Sequence, residues 1–311
     1  MTPRSVSVIV PCFNGEAHIR RCLDGLTRQT YPDFEIVVVD DASTDGTLSV
    51  LKEYPDIRVV QNPENRGPAF SRNRGIEASR GDILVFLDSD CEVDDPEWLV
   101  KHVQVQAARS GSIVGGGIVG VGKGIIARAD SYCHWFTNIP HGKSRVVSPF
   151  PRAPRIRFSR HLVTTNMSLH RDIWLAVGPF EEWLRTGEDL EFCERAVSRG
   201  FTLWLQPDIT VRHHDRTHLG EFFRCFYRVG RDRVPARSRH RSQYHALMPR
   251  GVVSSLLFCL PIGLLAPLQP ILAWFPYDKR AVLYYPLIAV ASFAMAVGIV
   301  RYWIEQRKHD A

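Results

Sequence analysis

The chain has 311 residues, 45% of them hydrophobic and 23% charged, which fits one large or two small globular units and excludes wholesale disorder. The net charge is +6, but eight arginines and one aspartate between Arg224 and Arg250 hold +7 of it. The rest of the chain is near neutral, which argues against a nucleic-acid-binding surface and for a basic segment at a membrane.

The first ninety residues alternate between strand-like and helix-like stretches. Val6 to Val10 is short and β-branched, and it stops at Pro11. Gly15 to Gln29 carries Ile19, Leu23 and Leu26 at helical spacing. Glu35 to Val39 is an apolar run that implies burial on both faces, and it ends in Asp40-Asp41. Ser43 or Thr44 is placed to cap a helix through Tyr54. Arg58 to Val60 predicts a third strand, about Pro68 to Ser79 a helix, and Ile83 to Leu87 a fourth strand. Such alternation means βαβ units and a mainly parallel α/β sheet.

Ligands of open α/β sheets sit at the carboxyl ends of the strands. Here those ends carry Pro11 to Asn14, Asp40-Asp41 and Asp88-Ser89-Asp90. One acidic strand end is an ordinary turn; three on one edge describe a site. Two carboxylates flanking a small residue can hold Mg²⁺ or Mn²⁺, with substrate phosphates completing the shell.

The middle is less regular. Gly111 to Gly124 is rich in glycine and valine, and Pro140 to His161 is basic and rich in proline. The latter reads as a mobile loop over the site or as a plain solvated loop. Arg171 to Val177 and Leu190 to Arg199 look helical, and Phe201 to Leu205 looks like a strand. Glu188-Asp189 opens the second of these helices, where acids also suit the helix dipole. His213-His214 follows the strand region Ile209 to Val211.

Composition then shifts. Gly251 to Tyr277 holds no charge in 27 residues, enough for a helix of roughly 40 Å. Ala281 to Val300 is a second uncharged stretch, separated from the first only by Asp278-Lys279-Arg280. A bilayer core needs about 20 such residues, so the pair predicts a transmembrane helical hairpin, kinked or re-entrant at Pro261, Pro267 and Pro270. A very apolar pair of core helices is the alternative. The basic flanks of a hairpin lie on one side, which makes the protein a multi-pass inner-membrane one with its large N-terminal part in the cytoplasm. Leu219, Phe222, Phe223, Phe226 and Tyr227 form an apolar helix face suited to the membrane interface or to the chain's own core.

Seven dispersed cysteines without a Cys-x-x-Cys pair imply neither a disulfide framework nor a zinc site, and reduced thiols fit a cytosolic setting. Val6 to Val10 is too short for the apolar region of a signal peptide, so none is expected.

Four segments carry a family resemblance. They are Val8 to Asn14, Val38 to Thr47, Asn65-Arg66-Gly67 with Ser71 to Ile76, and Leu87 to Asp90. Together they resemble the family 2 glycosyltransferases, and the second half agrees at Thr165 to Ser168, Val177 to Glu181 and Gly187 to Glu191. The resemblance runs from about Ser5 to Gly230. It implies a GT-A fold, a Rossmann-like sheet sandwiched by helices, and an inverting transfer from a nucleotide-sugar donor. By position, Pro11, Asn14 and Glu16 would line the nucleotide pocket, Asp40 would accept from the base, and Arg72 would lie near base and phosphates. Asp88 and Asp90 would be the metal motif for Mg²⁺ or Mn²⁺, with Asp90 the direct ligand and Asp88 beside the donor. Asp189 would be the general base. His213 matches a position that sometimes helps bind metal or diphosphate.

The expected organisation is a catalytic unit over 1–230, a basic linker over 231–250, two membrane helices within 251–303 and a cytoplasmic tail over 304–311. The expected partners are the nucleotide-sugar, a glycan or lipid-linked acceptor offering a hydroxyl, and membrane lipids, but no nucleic acid. Transfer to a polyprenyl phosphate is a close alternative, since that acceptor is already anionic. A nucleotidyltransferase would need a glycine-rich phosphate loop, which Pro11-Cys12-Phe13-Asn14-Gly15 is not. A non-enzymatic membrane scaffold or nucleic-acid binder rests only on the arginine cluster. Phe222 to Arg228 departs from the Gln-x-x-Arg-Trp segment of processive relatives, so a single addition is expected.

Overall fold

The computed structural model describes residues 5–148, 161–239 and 251–309. The basic stretch 149–160, which includes four arginines of the proposed loop, and residues 240–250 of the linker lie outside the described residues.

β1 (Val6–Cys12), β2 (Phe34–Asp40), β3 (Arg58–Gln61) and β4 (Ile83–Leu87) pair in parallel, β1 lying between β2 and β4. Their alternate residues explain the unbroken apolar runs. Val8, Val10, Ile36 and Val38 face one apolar cluster, while Ile9, Val37 and Val39 face another. α1 (Ile19–Thr27) and α2 (Thr47–Leu51) cover the first face, and α3 (Pro68–Ala78) covers the second. Helix α2 is shorter than the sequence implies, and Gly46, not Ser43 or Thr44, stands at its N-cap. Both hydroxyl residues are drawn instead into the loop contacts of Asn14.

The second half makes the sheet mixed. After β5 (Cys91–Glu92), α4 (Trp98–Ala108), β6 (Ser112–Gly120), α5 (Ile125–His134) and β7 (Arg145–Val147), the strand β8 (Asn166–His170) inserts antiparallel between β4 and β6. β9 (Thr202–His213) pairs in parallel with β6. The order is β3-β2-β1-β4-β8-β6-β9-β5, with β7 also on β9. α6 (Arg171–Val177) and α7 (Glu188–Ser198) pack on the α3 side of the sheet. This is the expected α/β class, with its parallel part confined to the β3-β2-β1-β4 half and to the β6-β9 pair.

In the C-terminal region the two spanning helices of the expected hairpin are not both found among the described residues, and the first apolar run breaks at one of the prolines expected to kink it. The first apolar run breaks at Ala266-Pro267 into α9 (Val252–Leu265) and α10 (Leu268–Trp274). At 14 and 7 residues, neither spans the roughly 20 that a bilayer core requires. Proline supplies the reason, because it has no amide hydrogen to continue the helix. The chain is then drawn back onto α5. Trp274 Nε1 donates to Tyr132 O at 3.2 Å, and the Tyr132 hydroxyl donates to Asp278 at 2.7 Å. Among the described residues one helical span, Lys279–Gln306, is long and apolar enough to cross a membrane. Most of it is α11 (Tyr285–His309).

Helix α8 (Leu219–Arg239) settles the amphipathic face. Phe222 and Phe226 are buried in the core, so this helix docks on its own protein. It then runs against α11. A Cβ on Gly230 would collide with the Met295 carbonyl, and one on Gly298 with the Tyr227 carbonyl. The two glycines permit a helix–helix contact that no side chain would allow.

Candidate active site

The turn after β1 is fastened to the turn after β2. Asn14 adopts φ +49°, and its Oδ1 accepts from Thr44 N at 2.8 Å. Glu16 Oε2 accepts from Gly46 N at 2.9 Å, and Glu16 N donates to Asp45 at 3.1 Å. Asn14 Oδ1 and Glu16 Oε2 therefore serve loop geometry, and Pro11 sits inside β1 opposite Val39.

Asp40 ends β2 and is buried. Its Oδ2 accepts from Ser43 N at 3.3 Å, while Oδ1 is buried with no partner. A buried carboxylate oxygen left unpaired is costly, and it is ready for a ligand donor. Asp41, next to it, holds a different task. Its two oxygens accept from Asn62 Nδ2, Arg66 N and Gly67 N at 2.7 to 3.0 Å, which fixes the entry to α3.

Helix α3 lies close to the sheet because Gly75 has no side chain. A Cβ there would come within 2.6 Å of Ile9 Cγ2. That approach carries Arg72 into the interior at the ends of the strands. Arg72 Nη2 donates to Asp88 Oδ1 at 2.7 Å, and Nη1 to Glu188 Oε1 at 2.5 Å. Asp88 Oδ2 accepts from the Thr165 hydroxyl at 2.7 Å, so neither Asp88 oxygen is idle.

Gly187, at φ +78°, turns the chain into α7 and points Glu188 and Asp189 toward this cluster. Burial pushes both carboxyls above the usual carboxylate range. Arg72 opposes the rise, the charge of Asp88 adds to it at both, and Asp189 adds to it at Glu188. Asp189 Oδ1 accepts from Leu190 N at 2.7 Å, and Oδ2 lies 3.9 Å from His161 Nε2.

Asp90 turns the other way. His213 Nε2 stands 3.4 Å from its Oδ2, while Oδ1 is buried and unpartnered. Burial opposes the charge on Asp90, but His213 outweighs it and lowers the carboxyl to about 2. His213 in turn is raised to about 10, against burial, by Asp90 and by Asp215, whose Oδ1 is 3.0 Å from Nδ1. A cavity of about 500 Å³ opens here, lined by His18, Arg21, Asp90, Lys123, His213 and Arg216 among others. Neither Asp40 nor Asp189 lines it.

The structure thus joins Arg72, Asp88 and the Glu188-Asp189 pair in one cluster, and Asp90 with His213 in an adjoining cavity. Asp40 reaches the same edge through Cys12, which pairs with it in register and bonds to the Ser89 side chain. Asn14 and Glu16 stay in the fastened loops, and Pro11 stays in β1. Among the described residues no group of three His, Cys, Asp or Glu side chains is arranged to hold a metal alone. The free Oδ1 of Asp90 suits a cation whose remaining ligands come from phosphate. The cationic lining from Arg21, Lys123 and Arg216 was not anticipated, and only their charge marks them in the sequence.

The family model described as glycosyl transferase family 2 matches residues 7–166. The chain belongs to glycosyl transferase family 2. Glycosyltransferase AglE of Haloferax volcanii is 32% identical over 235 residues, which are 74% of this chain and 73% of that protein. The pre-mycofactocin glycosyltransferase of Mycobacterium tuberculosis is 27% identical over 266 residues, 84% of this chain and 53% of its own length. This family 2 chain therefore spans about half the length of that longer relative. Among solved structures, the Pyrobaculum calidifontis mannosyltransferase PcManGT, in complex with GDP-Man and Mn²⁺, superposes with a TM-score of 0.64 at 18% identity, covering 98% of this chain and 89% of its own. TarS 1-349 of S. aureus reaches 0.54 at 20% identity, covering 98% and 92%. The protein is a glycosyltransferase, and its mixed sheet flanked by helices is of the GT-A type.

Proposed function

We propose that this glycosyltransferase moves a sugar from a nucleoside-diphosphate sugar to a hydroxyl of a glycan or lipid-linked acceptor, in one inverting displacement, at a membrane surface. The observation that carries the reading is the Arg72 bridge. It ties Asp88, at the end of a central strand, to the Glu188-Asp189 pair at the head of α7. The relatives that hold GDP-Man, UDP or UDP-GlcNAc share this fold and support a nucleotide-sugar donor here.

The free Oδ1 of Asp40 accepts a hydrogen bond from the base. Pro11 lines that pocket from the end of β1, and Asn14 and Glu16 shape it through the loops they fasten. Asp90 binds Mg²⁺ or Mn²⁺ with His213 beside it, and Asp88, held by Arg72 and Thr165, faces the donor. The cation supplies charge stabilisation to a departing diphosphate. Asp189 takes the acceptor proton. Its raised basicity suits that role, because a base works best when its pKa lies near the working pH. Asp189→Asn tests this: turnover is lost and donor binding is retained. Turnover at the wild-type rate would remove Asp189 as the base and point to a phosphate acceptor that needs none.

We assign catalysis to residues 1–230 and membrane contact to the apolar region within 251–303. Leu257 and Leu283 stand 73% and 77% exposed, and Leu264, Leu272 and Phe293 are also exposed. Patches of this kind mark membrane or protein contact. Contact with one leaflet fits better than a span. α11 touches α8 at its centre, and α8 carries exposed Arg224, Arg228 and Arg231. Moving such arginines to a bilayer centre costs roughly 3 kcal/mol each even on the mildest scale.

A further inference from the structure

Behind the cavity wall, α5 and α8 align three side chains. Cys225 Sγ lies 3.6 Å from His134 Nε2. His134 Nδ1 hydrogen-bonds the Asp130 backbone carbonyl at 3.1 Å and lies 2.9 Å from Asp130 Oδ1, an ion-pair distance. Asp130 is fully buried, and its Oδ2 accepts from Arg216 N at 3.0 Å and from Arg216 Nη1 at 3.1 Å. A carboxylate on one ring nitrogen and a sulfur on the other is the arrangement that moves a thiol proton to imidazole. The Asp130 carbonyl keeps the proton on Nδ1 and the Asp130 carboxylate beside it favours the cationic ring, so the Nε2 proton faces sulfur.

The other described cysteines have no such relay. Cys12, Cys22, Cys91, Cys133 and Cys193 are buried, whereas Cys225 is partly exposed. Burial pushes those five thiols up. Burial works on Cys225 too, but its contact with His134 wins and brings the thiol below its ordinary value. His134 is raised to about 10 by Asp130 despite burial.

We propose that Cys225, set against His134 and Asp130, is a nucleophilic thiolate and a site of covalent modification by hydroperoxides and soft electrophiles. With hydrogen peroxide the sulfur attacks one oxygen. The S–O bond forms as the O–O bond breaks, the sulfur gives up two electrons, and the departing hydroxide takes the Nε2 proton of His134 to leave as water. Cys225 becomes a sulfenic acid and His134 becomes neutral. With iodoacetamide the sulfur bonds to the methylene carbon and iodide leaves.

A short pulse of iodoacetamide on the full chain at pH 7, read by peptide mass spectrometry, tests the assignment. In parallel, peroxide with dimedone traps the sulfenic acid. Cys225 is expected to react at least about tenfold faster than the five buried thiols, as thiolate character and access dictate. His134→Gln and the isosteric Asp130→Asn are each expected to slow Cys225 severalfold while the five stay protected, which reports an intact fold. A Cys225 rate equal to that of the buried thiols, or one unchanged in a folded variant, overturns the proposal. The wild-type rate ratio decides even if both variants unfold.

Discussion

Arg72 and Glu188 form an ion pair, Nη1 to Oε1 at 2.5 Å, with 3% and 7% of the two side chains exposed. The same guanidinium holds Asp88 at 2.7 Å, so one cation from α3 joins β4 to α7. Two carboxylates at the interior edge of a sheet would repel each other without it. Arg72 therefore supports the fold and sets the distance between the end of β4 and the head of α7.

Removing that cation leaves buried negative charge uncompensated. Arg72→Ala is expected to cost about 3–5 kcal/mol of stability, the usual loss when one partner of a buried pair is deleted. Turnover should fall with it. Arg72→Lys keeps the charge but cannot serve two carboxylates in a fork, so it should recover part of the stability and little of the rate. Urea unfolding and nucleoside-diphosphate release measure the two effects.

Asp189 gives a prediction in pH. Burial pushes its carboxyl up to about 6, and a base must be ionised to act. Turnover should rise through that region to a plateau, and Asp189→Asn should lose the rise along with about 10²–10⁴-fold in kcat. Stability has the opposite sign. A carboxyl whose folded pKa is raised contributes fully below its unfolded value, near 4, and that contribution is lost as pH rises through the folded value. Asp189→Asn should therefore raise Tm relative to wild type at pH 8 and make little difference at pH 4. Calorimetry at the two pH values checks it.

The parallel half of the fold was legible because β2 and β4 carry apolar runs, each closed by an acid, and β1 is a short β-branched run beside them. Asp40, Asp88 and Asp90 could be placed on one edge from that pattern alone. β8 was not legible as a strand. Asn166, Ser168 and His170 are polar yet buried, and α4 satisfies the first two. Trp98 Nε1 donates to Asn166 at 3.2 Å, His102 contacts both Asn166 and Ser168, and Gln106 donates to Ser168. A polar strand made apolar by its partners leaves no periodicity to read. The cavity lining of Arg216 and the Cys225–His134–Asp130 row are also invisible locally, because each depends on packing between distant segments. The two spanning helices of the hairpin are not both found among the described residues, for a related reason. Length and hydropathy counted residues, while Pro267 and the Tyr132–Asp278 tie decided where the chain went.

The divalent cation should depend on Asp90 more than on Asp88. Asp90 has a buried oxygen without a partner, whereas both Asp88 oxygens are engaged by Arg72 and Thr165. Asp90→Asn should abolish the Mn²⁺-dependent part of nucleotide binding and leave the fold intact. Asp88→Asn should instead lower stability by releasing Arg72 from one of its two partners. Calorimetric titration of nucleoside diphosphate with and without Mn²⁺, beside a thermal melt of each variant, separates the two. Equal metal dependence in both variants would mean that the cation sits elsewhere.

Membrane contact through one leaflet predicts a particular extraction pattern. Helices α9 and α10 are too short to span, and α11 is bound along its middle to a helix that carries exposed arginines. Apolar faces of this kind hold a protein in the interface without threading it. Alkaline carbonate should then release the wild-type chain from membranes, as it does not release spanning helices. Replacing Leu257, Leu264 and Leu283 with serine removes exposed apolar surface while leaving the buried contacts of α11 through Ile288, Ala291 and Ala294 in place. The triple variant should lose binding to vesicles and keep its activity on a soluble acceptor. Resistance to carbonate, with vesicle binding unchanged in the triple variant, would instead mean that Lys279–Gln306 crosses the bilayer, and that α8 must first detach from it.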